Sequence, residues 1–134
     1  MLDLLEKIET ARAYLQAQIS SSPEIGIILG TGLGSMAQSL EIEMEIPYGD
    51  IPHFVQPTVD GHAGKWIFGK LAGKKVAVMQ GRLHFYEGHS MAEIAFPVRV
   101  LRALGARVLV VTNIAGGINP AFKTKSFEKL NPIP

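Results

Sequence analysis

Arg82 and His84 stand two residues apart, just past an apolar run, and an extended segment turns side chains at that spacing to the same side. The arginine carries a planar fork of N–H donors that matches phosphate oxygens, and the histidine donates to the same kind of anion. An adjacent anion favours the charged imidazole. Gly30-Thr31-Gly32-Leu33-Gly34 follows a second apolar run at once. Glycine lacks the Cβ that keeps backbone N–H groups away from an anion, and Thr31 adds a hydroxyl donor. After a third run, Asn113-Ile114-Ala115-Gly116-Gly117 supplies a side chain that both donates and accepts, beside glycines that leave the backbone N–H groups open. His62, between Gly61 and Ala63-Gly64, and Tyr86, four residues after Arg82, complete the set. Each has an ordinary structural reading: a tight strand-to-helix turn, a surface arginine, a loop histidine, a core tyrosine with its hydroxyl tied down. Three such loops leaving strand ends in one short α/β chain point instead to a phosphate site.

The elements that must position these residues are legible in the periodicity. Leu4, Ile8, Ala11, Leu15 and Ile19 recur at helical steps, and Asp3 with Glu6 suits a capped N-terminus; Ser20 to Pro23 ends the segment. Ile25 to Leu29 is a nearly unbroken apolar run, the pattern of a strand buried on both faces. Ile42, Met44 and Ile46 alternate with glutamates, as in a half-exposed strand closed by Pro47. Tyr48 to Gly64 reads as loop. Lys65 to Leu71 and Lys75 to Gln80 read as strands joined in a hairpin at Ala72-Gly73. Ser90 and Glu93 form a capping-box pair for a helix to Leu104 that Pro97 should kink or delay, with Gly105 at its stop. Val108 to Thr112 is a second strand written for burial on both faces, and its arrival after a helix predicts a parallel pairing.

Composition bounds the chemistry. The 134 residues are 47% hydrophobic with a mean hydropathy of +0.20, enough for a core, but only 19% are charged. That scarcity suggests a covered face, in an oligomer or against a further segment. Thirteen Lys and Arg against twelve Asp and Glu leave a formal charge of +1, which gives no support to nucleic-acid binding over a broad basic face. The absence of cysteine removes disulfides, thiolate metal sites and a cysteine nucleophile, and no two of the four histidines have the spacing of a zinc-binding helix. The charges through residues 1–19 rule out a signal peptide or membrane span there, so the default location is cytoplasmic.

Gly30-Thr31-Gly32-Leu33-Gly34, Gly61-His62-Ala63-Gly64, Gln80-Gly81-Arg82-Leu83-His84-Phe85-Tyr86-Glu87-Gly88, Phe96-Pro97-Val98-Arg99-Val100 and Thr112-Asn113-Ile114-Ala115-Gly116-Gly117-Ile118-Asn119-Pro120 together resemble the purine nucleoside phosphorylase family, in its trimeric branch. The resemblance runs from the first helix to about Phe122. It implies an α/β, three-layer phosphorylase/hydrolase-like fold, a central mixed sheet flanked by helices, here truncated after about half the domain. Residues 1–122 would be the N-terminal half, and 123–134 a divergent, disordered tail. The implied reaction is reversible phosphorolysis of purine (deoxy)ribonucleosides to the free base and (deoxy)ribose 1-phosphate. Phosphate is the co-substrate, with no metal or organic cofactor. By the same resemblance Thr31, His62, Arg82, His84 and the backbone N–H of Ile114 hold phosphate, His84 acts as the catalytic residue, and Tyr86 and Asn113 contact the nucleoside. The implied partners are a purine nucleoside, phosphate and copies of the chain in a homotrimer.

Two departures qualify this. Ile114 stands where the family has alanine, so its donor is kept while a β-branched side chain crowds the pocket. Beyond Phe122 the likeness stops, and the family keeps its base-recognising residues in the half that follows. The base preference is therefore not written here. Three other readings compete: an inactive fragment that binds phosphate or associates with an intact homologue, a methylthioadenosine phosphorylase, and a dinucleotide-binding module. The second lacks the Tyr-Glu-Gly and Asn-x-Ala-Gly-Gly continuations; the third needs an acidic residue at a strand end, whereas Asp50 falls in a Pro-rich loop.

Overall fold

The computed structural model describes residues 2–30, 34–57, 64–113 and 116–121. Its elements, in chain order, are α1 (Leu4–Gln18), β1 (Ile25–Ile28), β2 (Glu41–Pro47), β3 (Lys65–Leu71), β4 (Lys74–Gln80), α2 (Met91–Ala103) and β5 (Val108–Val111), with short 3-10 turns at Gly34–Ser39, Tyr48–Asp50 and Phe85–Glu87. The five strands form one mixed sheet in the order β2-β3-β4-β1-β5. β2, β3 and β4 are antiparallel neighbours, and β1 runs parallel to both β4 and β5. The expected tail, 123–134, lies outside the described residues.

Both helices begin as the sequence predicts. Asp3 and Glu6 close a capping box on α1, and Ser90 and Glu93 close one on α2, each satisfying backbone N–H groups that a first turn leaves without partners. The second helix runs through Pro97, which lies inside it as the sequence predicts and is buried. Packing against the sheet outweighs the lost backbone bond at that turn.

The helices lie on one face of the sheet. Ala11 and Leu15 of α1 and Phe96, Val100 and Leu101 of α2 join Trp66, Phe68, Ala77 and Met79 in the larger core. Phe54 anchors it from the loop, packing on Tyr48, Trp66 and Phe96 with ring centroids 5.2 to 5.9 Å apart. The strand period of two sends Ile27, Ile67, Val76 and Val78 to the opposite face, where Leu40 and Met36 cover them. Among the described residues no α-helix lies on that second face.

β5 departs from expectation. Its four residues, read from the sequence as buried on both faces, are 41 to 53% exposed. Among the described residues the strand is an edge, paired to β1 alone.

Candidate functional site

The sheet order places the carboxyl ends of three parallel strands side by side. Ile28 is in register with Met79 on one side and with Val111 on the other, so the chain leaves β1 at Leu29-Gly30, β4 at Gly81-Arg82 and β5 at Thr112-Asn113 along one sheet edge. Open parallel sheets bind ligands in the crevice outside such ends. The three strand ends from which the glycine-bearing segments leave therefore lie side by side.

Close backbone approach holds them together. A Cβ on Gly30 would sit 2.6 Å from the Thr112 carbonyl oxygen and 2.8 Å from the Asn113 Cα, so only glycine lets these two loops touch. The Gly30 N–H donates to the Thr112 hydroxyl at 2.9 Å, and that hydroxyl donates to the Ile28 carbonyl at 3.1 Å. Gly81 plays the matching part on the other side: its φ of +103° falls in the left-handed region, and a Cβ there would meet the Gly64 Cα at 2.8 Å. The buried Tyr48 hydroxyl donates to the Gly81 carbonyl at 2.9 Å, while the Tyr48 N–H donates to the Gly64 carbonyl at 2.9 Å. Burial pushes the Tyr48 phenol well above its usual range, which keeps it a proton donor to that carbonyl. The segment that carries the sequence's His62 thus re-enters the sheet, at Gly64, beside the end of β4.

Arg82, half-buried, extends across the end of the sheet and donates through Nη1 to the Thr112 carbonyl at 3.4 Å. A long bond of this kind leaves most of the guanidinium fork uncommitted by that contact. His84 does not share Arg82's partner. Its Nδ1 lies 2.7 Å from Glu87 Oε1, and its ring stacks on Tyr86 with centroids 4.7 Å apart and planes inclined by 22°. The Glu87 side chain is 3% exposed, against 36% for that of His84. With Nδ1 against the carboxylate, the Nδ1–H tautomer is fixed and Nε2 is left for a ligand. Tyr86 is not a core aromatic: it is 78% exposed, with the neighbouring Phe85 at 67%. Asn113 is exposed beside Gly30. Thr31, His62 and Ile114 lie outside the described residues.

Three residues of this region were not singled out as site residues in the sequence. Thr112 joins the β1 and β5 loops through its hydroxyl and meets Arg82 through its carbonyl. Glu87 orients His84. His89 brings Nε2 to 3.3 Å from the second Glu87 oxygen, near enough for charge attraction but without the alignment of a hydrogen bond. An acid within one turn of two histidines was the available signal for the last two. No group of three His, Asp or Glu able to hold a metal ion occurs among the described residues, and no helix there is long and apolar enough to cross a membrane.

Comparison with known proteins agrees with this geometry. Residues 24–127 match the model of the phosphorylase superfamily. Purine nucleoside phosphorylase 1 of Geobacillus stearothermophilus is 52% identical over 116 residues, 87% of this chain and 42% of the relative. A crystal structure of the Schistosoma mansoni purine nucleoside phosphorylase in complex with inosine superposes with a TM-score of 0.82 at 45% identity, covering 89% of this chain and 41% of that one. A purine nucleoside phosphorylase in complex with ribose-1-phosphate superposes with a TM-score of 0.84 at 45% identity, covering 92% and 46%. The chain thus spans less than half the length of the relatives it matches. With its mixed sheet and two helices shared with those structures and residues 24–127 matching the family model, the chain belongs to the phosphorylase superfamily.

Proposed function

We propose that this chain carries the phosphate-binding part of a purine nucleoside phosphorylase, an enzyme of reversible phosphorolysis that yields a purine base and (deoxy)ribose 1-phosphate. The observation that carries the reading is the convergence of three parallel-strand ends around Arg82. Phosphate is bound by the Arg82 fork, by His84 through Nε2, by the Thr31 hydroxyl, by His62 and by the Ile114 N–H. Tyr86 and Asn113 contact the nucleoside. The relatives' complexes with inosine and with ribose-1-phosphate support the same substrate class.

The chemistry follows from charge. The glycosidic bond breaks with positive charge building on the sugar, and a phosphate held in place supplies both the nucleophile and a compensating charge. His84 is the catalytic residue here, held by Glu87 at Nδ1 and meeting the phosphate through Nε2. The reading needs no metal or organic cofactor. It places the functional unit in residues 1–122, outside the 123–134 tail, and has the protein working as a cytoplasmic homotrimer.

A second reading, phosphate binding without turnover and association with an intact homologue, draws on the exposed apolar edge of β5. One experiment separates them. The purified chain is titrated with phosphate, as wild type and as Arg82→Ala, and hypoxanthine release from inosine is followed with and without phosphate. Phosphate-dependent release supports the phosphorylase. Binding that Arg82→Ala abolishes, with no release, supports the second reading. Absence of phosphate binding by the wild type refutes both.

A further inference from the structure

We propose that Tyr48 is a positioning residue for Arg82: its buried hydroxyl holds the Gly81–Arg82 peptide plane and so aims the guanidinium fork at the anion. This deepens the proposed phosphorylase reading and rests on it, since there the fork meets phosphate. Tyr48 is 0% exposed and packs in the core beside Phe54, with ring centroids 5.9 Å apart. Its hydroxyl donates to the Gly81 carbonyl at 2.9 Å. That carbonyl lies one residue past the end of β4, beyond the last rung of the β3–β4 ladder at Lys65 and Gln80. An acceptor there needs a partner from outside the ladder, and a phenylalanine would fill the same space without supplying one.

The peptide group is planar, so a fixed Gly81 oxygen also fixes the plane that carries the Arg82 nitrogen and Cα. A second restraint acts on the same unit. The Tyr48 N–H donates to the Gly64 carbonyl at 2.9 Å, and Gly64 lies so near that a Cβ on Gly81 would meet its Cα at 2.8 Å. The Tyr48 ring closes the far side of Gly64, where a Cβ would meet it at 2.2 Å. One residue thus holds the root of Arg82 through its hydroxyl and, by way of Gly64, through its backbone. From that root Arg82 reaches to within 3.4 Å of the Thr112 carbonyl, and along so long a side chain a small tilt of the plane is magnified at the guanidinium. Burial pushes the Tyr48 phenol well above its usual range, so the hydroxyl keeps its proton, and with it this bond, throughout the neutral pH range.

The test begins with NMR on the chain without phosphate, so that it stands apart from phosphate binding. In the wild type the Arg82 amide, although outside the strand, should be as rigid as the amides of β4; a lower order parameter overturns the proposal, and this arm needs no variant. Tyr48→Phe keeps the ring and loses only the hydroxyl. The Arg82 amide should then lose that rigidity and its Nε signal should move, while the ring contacts of Phe54 and Trp66 persist; unmoved Arg82 signals in the folded variant overturn the proposal. Phosphate is next titrated calorimetrically into wild type, Tyr48→Phe, Arg82→Lys and the double variant. Loss of the hydroxyl should weaken phosphate binding roughly threefold to tenfold with arginine at position 82. With lysine there the loss should be less than about twofold, because a point charge on a flexible stem does not depend on a fixed plane. Equal losses in the two backgrounds mark a hydroxyl that serves the fold alone, and overturn the proposal. Failure of the wild type to bind phosphate refutes the underlying reading instead, and leaves the two NMR results to decide whether Tyr48 holds Arg82.

Discussion

Arg82 carries the sharpest residue-scale prediction, because charge and shape can be separated at its position. Its guanidinium approaches the Thr112 carbonyl with one nitrogen and presents a planar fork beyond it. Arg82→Lys keeps the charge and loses the fork, so phosphate affinity should fall by about tenfold, from the loss of roughly 1.5 kcal/mol of charge-assisted bonding. Arg82→Ala should fall further, by roughly a hundredfold. Isothermal titration with inorganic phosphate measures both, and equal affinities for wild type and Lys variant would sink the idea that the fork matters. His84 and Arg82 were visible in the sequence as residue types at a short spacing. Within the protein, Arg82 meets the Thr112 carbonyl and His84 meets Glu87. An extended backbone fixes which side a residue leaves from, but Glu87, on a 3-10 turn three residues on, decides where the His84 ring goes. That turn is set by the whole Phe85–Glu87 segment, which carries no periodic signal in sequence.

At the scale of elements, local chemistry was the most readable part of the chain. Both capping boxes, the Ala72-Gly73 hairpin and the strand β2 follow from side-chain types at fixed offsets, and the structure contains all of them, although a register shift between Ile42 and Met44 leaves Ile42 exposed while Ile46 is buried. The α2 cap yields a stability prediction. Ser90→Ala removes the hydroxyl that accepts the Glu93 N–H at 3.2 Å, and should cost about 1 kcal/mol in chemical denaturation. Glu93 adds a pH dependence whose sign is fixed by its lowered pKa. A carboxyl held below its unfolded value of about 4.3 stabilises the fold above that value, and the contribution disappears as pH falls through the folded one. The melting temperatures of wild type and Glu93→Gln should therefore differ near neutral pH and converge in acid; a gap that persists at pH 3, or widens there, would contradict the assignment. Close approach between elements was less readable. The sequence marks Gly30 as part of a turn, but its constraint is the backbone of β5, more than eighty residues away. Gly30→Ala should force the β1 and β5 ends apart at a cost of roughly 1 to 3 kcal/mol, and weaken phosphate binding with it. Full stability in that variant would mean that the contact yields more easily than backbone on backbone should.

On the scale of the whole molecule, the scarcity of charge found in the sequence has a location. Val108, Leu109, Val110 and Val111 lie 41 to 53% exposed on an edge strand whose outer backbone groups face away from β1, and no charged side chain interrupts the run. Sequence patterning recorded what this strand is suited to, burial on both faces, and could not record whether neighbours are in place to provide it. Such an edge is a template for pairing, and proteins that leave edges open usually place a lysine or proline there. The chain should accordingly bind an apolar dye such as ANS and lose solubility as it is concentrated. Leu109→Lys should reduce both effects. Because the side chain is already 41% exposed, the same change should alter the folding free energy by no more than about 0.5 kcal/mol. Dye fluorescence, light scattering over a concentration series and a denaturation curve decide it together. If scattering and dye binding persist in the lysine variant while its stability is intact, the association surface lies elsewhere, with the exposed Phe85, Tyr86 and Met91 as the next group to substitute.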